Sequence, residues 1–344
     1  MQEPTAFTYA SGASHSPRKT GSAALVTAAE HLSKKHPIAD TQRAGLAVGE
    51  GRALFRQGDW AGAAVHLERA AKLAESCGDA GYETRVIALL ILQVVLPQLG
   101  RVDDCERVSE EVIALSRSRG DQLHLGSAIN NRRNLLVARK ALSACIDDQL
   151  AFMRIGRELG MVISEYFGEI NLGEMLFQSG DDAGAVGHIE RAVSIEARHP
   201  EVAPRPFAAL LKARHLAAQG QAAEARGELE RIRGAVAQAL SEKRASGVLA
   251  PSEAVLVDLV EMSTRPSSPE EWRELVARSA KHSIEQEHLE VLELCARAAM
   301  REGRSGAARE TLAAAQEAAV RIPNLFDARL SRLAAELGEP ARST

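Results

Sequence analysis

The segment GDWAGAAVHLERA at residues 58 to 70 returns as GDDAGAVGHIERA at residues 180 to 192, with nine of thirteen positions identical. Gly58 matches Gly180, His66 matches His188 and Arg69 matches Arg191. Alanine-rich helices share composition, but composition does not reproduce order. The same turn-then-helix unit recurs as GRVDDCERVSEEV (100 to 112), KALSACIDDQLAF (140 to 152), GQAAEARGELERI (220 to 232) and GRSGAARETLAAA (303 to 315). Markers 58, 100, 140, 180 and 220 are 42, 40, 40 and 40 residues apart, and the gap of 83 from 220 to 303 has room for two periods. A degenerate sixth unit is therefore expected over residues 248 to 288. A fixed period in the range of roughly 20 to 50 residues implies a solenoid, because each unit buries its apolar face only by stacking on its neighbours.

Each marker is preceded and followed by apolar residues recurring at three and four, so each unit reads as a helical hairpin. Gly58, Gly100, Gly180 and Gly220 stand where the first helix must end and the chain reverse, the usual place for a left-handed C-cap. Five positions after the marker the residue is always small: Ala63, Cys105, Cys145, Ala185, Ala225 and Ala308. Close approach of two helices explains that choice. Only 3% of the chain is aromatic, while 45% is hydrophobic and alanine, leucine, glutamate and arginine dominate. That bias favours helix over sheet and supports a substantial core.

The formal net charge is -4 with acids and bases interspersed, which gives no electrostatic footprint for nucleic acid. Cys77, Cys105, Cys145 and Cys295 are widely separated and lack metal-type spacing, so they are expected to be small, reduced, mostly buried residues of a cytoplasmic protein. The apolar run VIALLILQVVL at 86 to 96 is short of the roughly 20 residues a bilayer requires and reads as a buried helix, so no membrane association is expected. Residues 1 to 20 lack the apolar core of a secretory signal and read as a disordered tail.

The pattern resembles the tetratricopeptide repeat, whose two-helix unit carries Leu-Gly in the first helix, a Gly turn, then a small residue and an Ala in the second. Leu172, Gly173, Gly180, Ala185 and Ala192 lie in those relative positions. The long period is similar to that of the maltose-regulator-like type found in bacterial signalling and transcription regulators. The resemblance implies an all-α, right-handed α-solenoid of about seven antiparallel helix hairpins. A capping helix is expected over residues 21 to 39, the array over 40 to 322, and a C-terminal capping helix and tail over 323 to 344.

Chemistry is sparse. No phosphate loop is present, and GEGRALF at 49 to 55 lacks the preceding strand and third glycine of a dinucleotide fingerprint. The ten histidines include no His-Glu-x-x-His pair, and His282 and His288 fall on different helix faces. His66 and His188 share a repeat position and so are expected to share a structural role. No nucleophile elbow appears. The chain is therefore expected to be non-catalytic, without cofactor or metal.

Solenoids of this family bind through a concave groove lined by the first helix of each unit. Carried onto this chain, the groove positions are Val48, Arg52 and Phe55; Ile87, Leu90 and Val94; Ser127, Asn130, Asn134 and Val137; Phe167, Ile170, Glu174 and Phe177; and Phe207, Leu210 and Arg214. Two readings stand for this face: an apolar groove awaiting a partner, or a face partly buried against neighbouring helices or the terminal segment. The carboxylate clamp of chaperone-tail binders is missing, since Phe207 and Leu211 stand where its basic pair should be. Peptide-pheromone sensors of the same fold grip a peptide backbone with asparagines, and an amide side chain can donate and accept at once. Asn130 and Asn134 fit that role, with Ile87, Leu90 and Val94 receiving side chains of the peptide.

The stretch NNRRN at 130 to 134 adds a separate problem. Arg132 and Arg133 stand in register with the packing pair Leu172 and Gly173. Burying an unpaired guanidinium costs several kcal/mol, so these arginines must reach solvent, pair with carboxylates such as Asp147 and Asp148, or shift the helix register. The functional expectation is a protein- or peptide-binding scaffold, the sensor or interaction region of a bacterial signalling or transcription regulator. Its alternatives are a small-molecule effector sensor and a response-regulator phosphatase or peptide-pheromone sensor.

Overall fold

The protein is described by a computed structural model covering residues 38–139, 141–203, 205–242, 249–320 and 325–338. The tail expected at 1 to 20 and nearly all of the cap expected at 21 to 39 lie outside the described residues. Among the described residues every regular element is helical. The chain divides into two compact units, Met1–Leu159 and Gly160–Thr344.

Among the described residues the first unit holds three hairpins: α1 (Asp40–Gln57) with α2 (Trp60–Ser76), α3 (Tyr82–Gln98) with α4 (Val102–Ser118), and α5 (Gln122–Ala138) with α6 (Leu142–Glu158). The second holds four: α7 (Val162–Ser179) with α8 (Asp182–Arg198), α9 (Phe207–Ala218) with α10 (Ala222–Ser241), α11 (Pro251–Ser263) with α12 (Pro269–His282), and α13 (Glu285–Arg301) with α14 (Ser305–Ala319). The third of these fills the interval where the degenerate unit was expected. A last helix, α15 (Asp327–Glu336), follows within the stretch read as a C-terminal cap.

The repeated Gly-Asp dipeptide is a stop signal and a start signal in adjacent positions. Gly58 and Gly180 adopt φ of 81° and 85°, a conformation that costs a residue with a Cβ, and end α1 and α7. Asp59 and Asp181 then accept from the amides of Gly62 and Gly184, each at 2.9 Å, and start α2 and α8. The six small residues five places after the markers are all fully buried. Burial also pushes the Cys105 and Cys145 thiols up to about 11, so these cysteines pack and do not react.

Two contact positions recur across the hairpins, each joining residues sixteen apart. At one, Gly51 faces Leu67 and Gly173 faces Ile189 so closely that a Cβ would collide. At the other, Glu50 receives Nδ1 of His66 at 2.6 Å in the first hairpin. In the third hairpin Arg132 donates there to both oxygens of Asp148, at 2.7 and 2.6 Å. The arginine is thus accommodated by pairing with a carboxylate, with the acidic and basic side chains interchanged between the two helices relative to Glu50 and His66. Helix α5 runs unbroken from Gln122 to Ala138, so no register shift is needed. Asp147, the other partner considered, is exposed.

The apolar run at 86 to 96 lies in α3. With the 3-10 turn before it, the helix spans 21 residues, Gly78–Gln98, long and apolar enough to cross a membrane. It is a core helix here: Val86, Ala88, Leu90 and Val95 are fully buried in the first unit. In the second unit Leu229, Ile232, Leu256, Leu259, Val260, Trp272, Leu275, Val291 and Leu294 form one buried cluster across α10 to α13.

Candidate binding faces

In the first unit α1, α3 and α5 pack side by side, so residues at matching repeat positions form rows across them. Arg52, Val94 and Asn134 form one row; Val48, Leu90 and Asn130 form the next. Ile87 and Val94 are half-exposed on α3, and Ser127, Asn130, Asn134 and Val137 are half-exposed on α5. Spacings of three and four put each set on one helix stripe. Arg52 and Phe55 are half-exposed on α1, with the Phe55 ring edge-on to Trp60 at 5.5 Å. Burial, then the neighbouring charge of Arg56, lowers the Arg52 pKa below the usual guanidinium range.

Val48 is buried against the groove expectation, and Leu90 departs from it further. It is fully buried, and its carbonyl accepts from Nδ2 of Asn131 at 3.0 Å. The asparagine cluster therefore divides by helix face. Asn131 is buried and ties α5 to α3, whereas Asn130 and Asn134 lie on the accessible stripe.

The second unit corrects the groove expectation more broadly. Phe167, Ile170, Phe177, Leu210 and Arg214 are all buried and line no open groove, whereas Glu174 and Phe207 are half-exposed like the first unit's stripe, Glu174 being engaged by Arg214. Of the two readings of this face, burial by neighbouring helices and the terminal segment describes the second unit. The physical reason is that α13 and α15 bring matching charges onto it. Arg214 donates through Nε to Glu290 at 3.0 Å and through Nη1 to Glu174 at 2.9 Å, and its Nη2 also reaches Glu290. Burial opposes the Arg214 charge, but Glu290 and Glu174 more than offset it and raise its pKa. Burial pushes the Glu287 carboxyl up to about 7; Arg214 resists that shift, and Glu174 and Glu290 add to it. His215 lies edge-on to Phe177 at 5.3 Å, and its pKa is lowered by burial against the pull of Asp182.

Sequence reasoning missed Glu287, Glu290, Glu293 and Arg329. The signal was present: three glutamates at successive intervals of three, among Leu289, Val291 and Leu294, put acids on a face that buries its neighbours. Such acids require buried cations, and Arg214 and Arg329 supply them. His66 and His188 each lie 2.6 Å from a glutamate of the preceding helix, Glu50 and Glu169 respectively, consistent with a shared structural role. Among the described residues no group of three or more His, Cys, Asp or Glu is placed to hold a metal ion.

No protein-family profile matches the chain, and no curated protein does. Among solved structures it is similar to the apo form of RapI, with a TM-score of 0.62 and 11% identity over 87% of this chain and 81% of that one. It is also similar to the Rap conjugation gene regulator of the plasmid pLS20, solved with the Phr* peptide, with a TM-score of 0.48 and 12% identity over 92% of this chain and 72% of that one. The likeness to RapI shows a shared fold, an all-α solenoid of helix hairpins.

Proposed function

We propose that the chain is a non-catalytic peptide- or protein-binding scaffold of the long-repeat regulator type, and that its ligand lies across α1, α3 and α5 of the first unit. One contrast carries this reading. Asn130 and Asn134 stand half-exposed beside half-exposed Ile87 and Val94, whereas of the matching positions of the second unit Phe167, Ile170, Leu210 and Arg214 are buried and only Glu174, paired with Arg214, and Phe207 are half-exposed. An amide pair one helical turn apart can donate to and accept from an extended backbone, while neighbouring aliphatic residues take its side chains. Arg52 and Phe55 extend the same surface onto α1.

The test is the double substitution Asn130→Ala, Asn134→Ala against the control Asn131→Ala. A partner is isolated from the source cell with the wild-type chain, and its affinity is measured for each variant by titration. The double variant is expected to lose binding at least about tenfold with its melting temperature nearly unchanged. The control is expected to lower the melting temperature through the lost bond to Leu90. A double variant that unfolds, or that binds like wild type, ends the reading. If native mass spectrometry finds a co-purifying small molecule lost on the same substitution, the surface is an effector site instead.

A further inference from the structure

Helix α15 does more than cover the end of an array. Phe326, Leu330, Leu333 and Ala334 are buried, and α15 packs on α14 and α13, as an end cap requires. It also carries two arginines to α7, 152 residues earlier in sequence and the first helix of the same unit. Nη1 of Arg329 donates to the Phe177 carbonyl at 3.3 Å, and its Nη2 lies 2.6 Å from a Glu293 oxygen. The guanidinium stands over the Phe177 ring at 4.2 Å and near that of Phe326 at 5.3 Å. Nη2 of Arg332 donates to the Gly180 carbonyl at 3.1 Å, and its Nη1 lies 3.7 Å from Asp182.

These acceptors form a receptor with defined chemistry. The carbonyls of Phe177 and Gly180 belong to the last turn and cap of α7, where the dipole favours a cation; the Phe177 carbonyl also accepts the Gly180 amide and takes Arg329 as a second donor. The aromatic face of Phe177 takes a planar guanidinium that still pairs its charge with Glu293 and donates to a carbonyl. A lysine ammonium can fill one of these contacts but not all three. Phe177 also occupies the repeat position of Val137, which lies on the accessible stripe of the first unit. Helix α15 therefore sits on the second unit where a ligand would sit on the first.

We propose that this surface of the second unit is a docking site for an arginine-bearing amphipathic helix with a Phe-x-x-Arg-x-x-Arg face. The chain's own α15 occupies the site, and a helix of the same pattern on a partner protein replaces it. The partner is identified by that chemistry: Phe and two Arg at intervals of three, with Leu beside each Arg to seat the helix.

The probe is a labelled peptide of residues 325 to 338, added to the full-length chain carrying Leu330→Glu and Leu333→Glu, which unseat α15. Saturable binding by anisotropy is expected, weakened at least about tenfold when the peptide carries Arg329→Ala or Arg329→Lys. The wild-type chain is expected to show little binding at the same concentrations, because its tethered helix competes at an effective concentration on the order of millimolar. Equal binding of the altered peptides, or no binding to a variant that keeps its helical circular dichroism, overturns the proposal. If the double substitution costs the fold, the full chain carrying only Arg329→Ala decides. There the arginine peptide must slow hydrogen exchange in the last turn of α7 and the Arg329→Ala peptide must not, and the absence of that difference overturns the proposal.

Discussion

Gln93 on α3 donates from Nε2 to the hydroxyl of Ser109 on α4 at 3.0 Å, at the hairpin position where Gly51 faces Leu67 and Gly173 faces Ile189. Size is exchanged across the interface: a glycine opposite a branched aliphatic in two hairpins, a long amide opposite a serine in a third. The same Nε2 also donates to the carbonyl of Ala128 at 3.0 Å, which joins the second hairpin to the third. A tightly packed interior tolerates either arrangement and punishes a mixture of the two.

That exchange predicts non-additive mutational energies. Gln93→Gly alone opens a cavity and strands the Ser109 hydroxyl, and is expected to cost about 3 kcal/mol; Ser109→Leu alone drives a branched side chain into the glutamine and costs about as much. The double substitution rebuilds the Gly-Leu pair of the first hairpin and should recover more than about 1 kcal/mol relative to the sum. Urea denaturation of the four chains measures this. A double variant at or below the additive value removes the exchange argument.

The repeat was legible because periodicity and turn chemistry are local. Gly58 and Asp59 announce a reversal from two adjacent residues, and the small residue five places on follows from helix approach alone. Asp148 could be named as a partner for Arg132 because sixteen residues across a known hairpin is a local distance. The half-exposure of Asn130 and Asn134 follows from the helix face the repeat frame gives them, a local property as well. The burial of Phe177 and Arg214 was not, because the covering residues Arg329 and Glu290 arrive from 152 and 76 positions later in sequence. A repeat frame says which face a residue occupies within its own hairpin; it does not say which distant helix returns to cover that face.

The charge pair of the third hairpin should behave as a unit. Arg132→Leu leaves Asp148 buried without its two hydrogen bonds and is expected to cost about 2 kcal/mol, discounted from the cost of a fully buried pair because the arginine is partly exposed. Arg132→Leu with Asp148→Val replaces the pair by the apolar residues of the second hairpin's matching contact, Leu92 and Val108, and should return to within about 1 kcal/mol of wild type. Thermal melts of the single and double variants separate this from a loss carried by arginine alone. Equal loss in both variants would falsify the pairing.

Glu287 gives the second unit a pH dependence of definite sign. Its folded pKa, about 7, lies above its ordinary value of 4.5, so the native state holds a proton that the unfolded chain releases. The associated stability is fully present below about pH 4.5 and is lost as pH rises through about 7, by up to a few kcal/mol. Glu287→Gln removes the titrating group and keeps an acceptor for the Ile284 amide, which Glu287 now receives at 3.3 Å. Denaturation midpoints at pH 6 and about pH 8 should converge in the variant and diverge in the wild type. A variant that retains the full wild-type slope would place the dependence elsewhere.

Gly58 and Gly180 allow the contact between α15 and α7 to be isolated from backbone strain. Both have left-handed φ, 81° and 85°, so alanine at either costs about 1 kcal/mol from backbone conformation alone. A Cβ at Gly58 would meet open space, whereas one at Gly180 would run into the Arg332 guanidinium and crowd Arg329 and Ala328. Gly180→Ala should therefore cost at least about 1 kcal/mol more than Gly58→Ala and speed amide exchange in α15, which Gly58→Ala leaves unchanged. The cause is steric, so pairing Gly180→Ala with Arg332→Ala should restore part of the difference by shortening the side chain that blocks the new methyl. Equal penalties at the two glycines, with α15 protected alike in both variants, would mean that the end of α7 and the last helix are energetically independent.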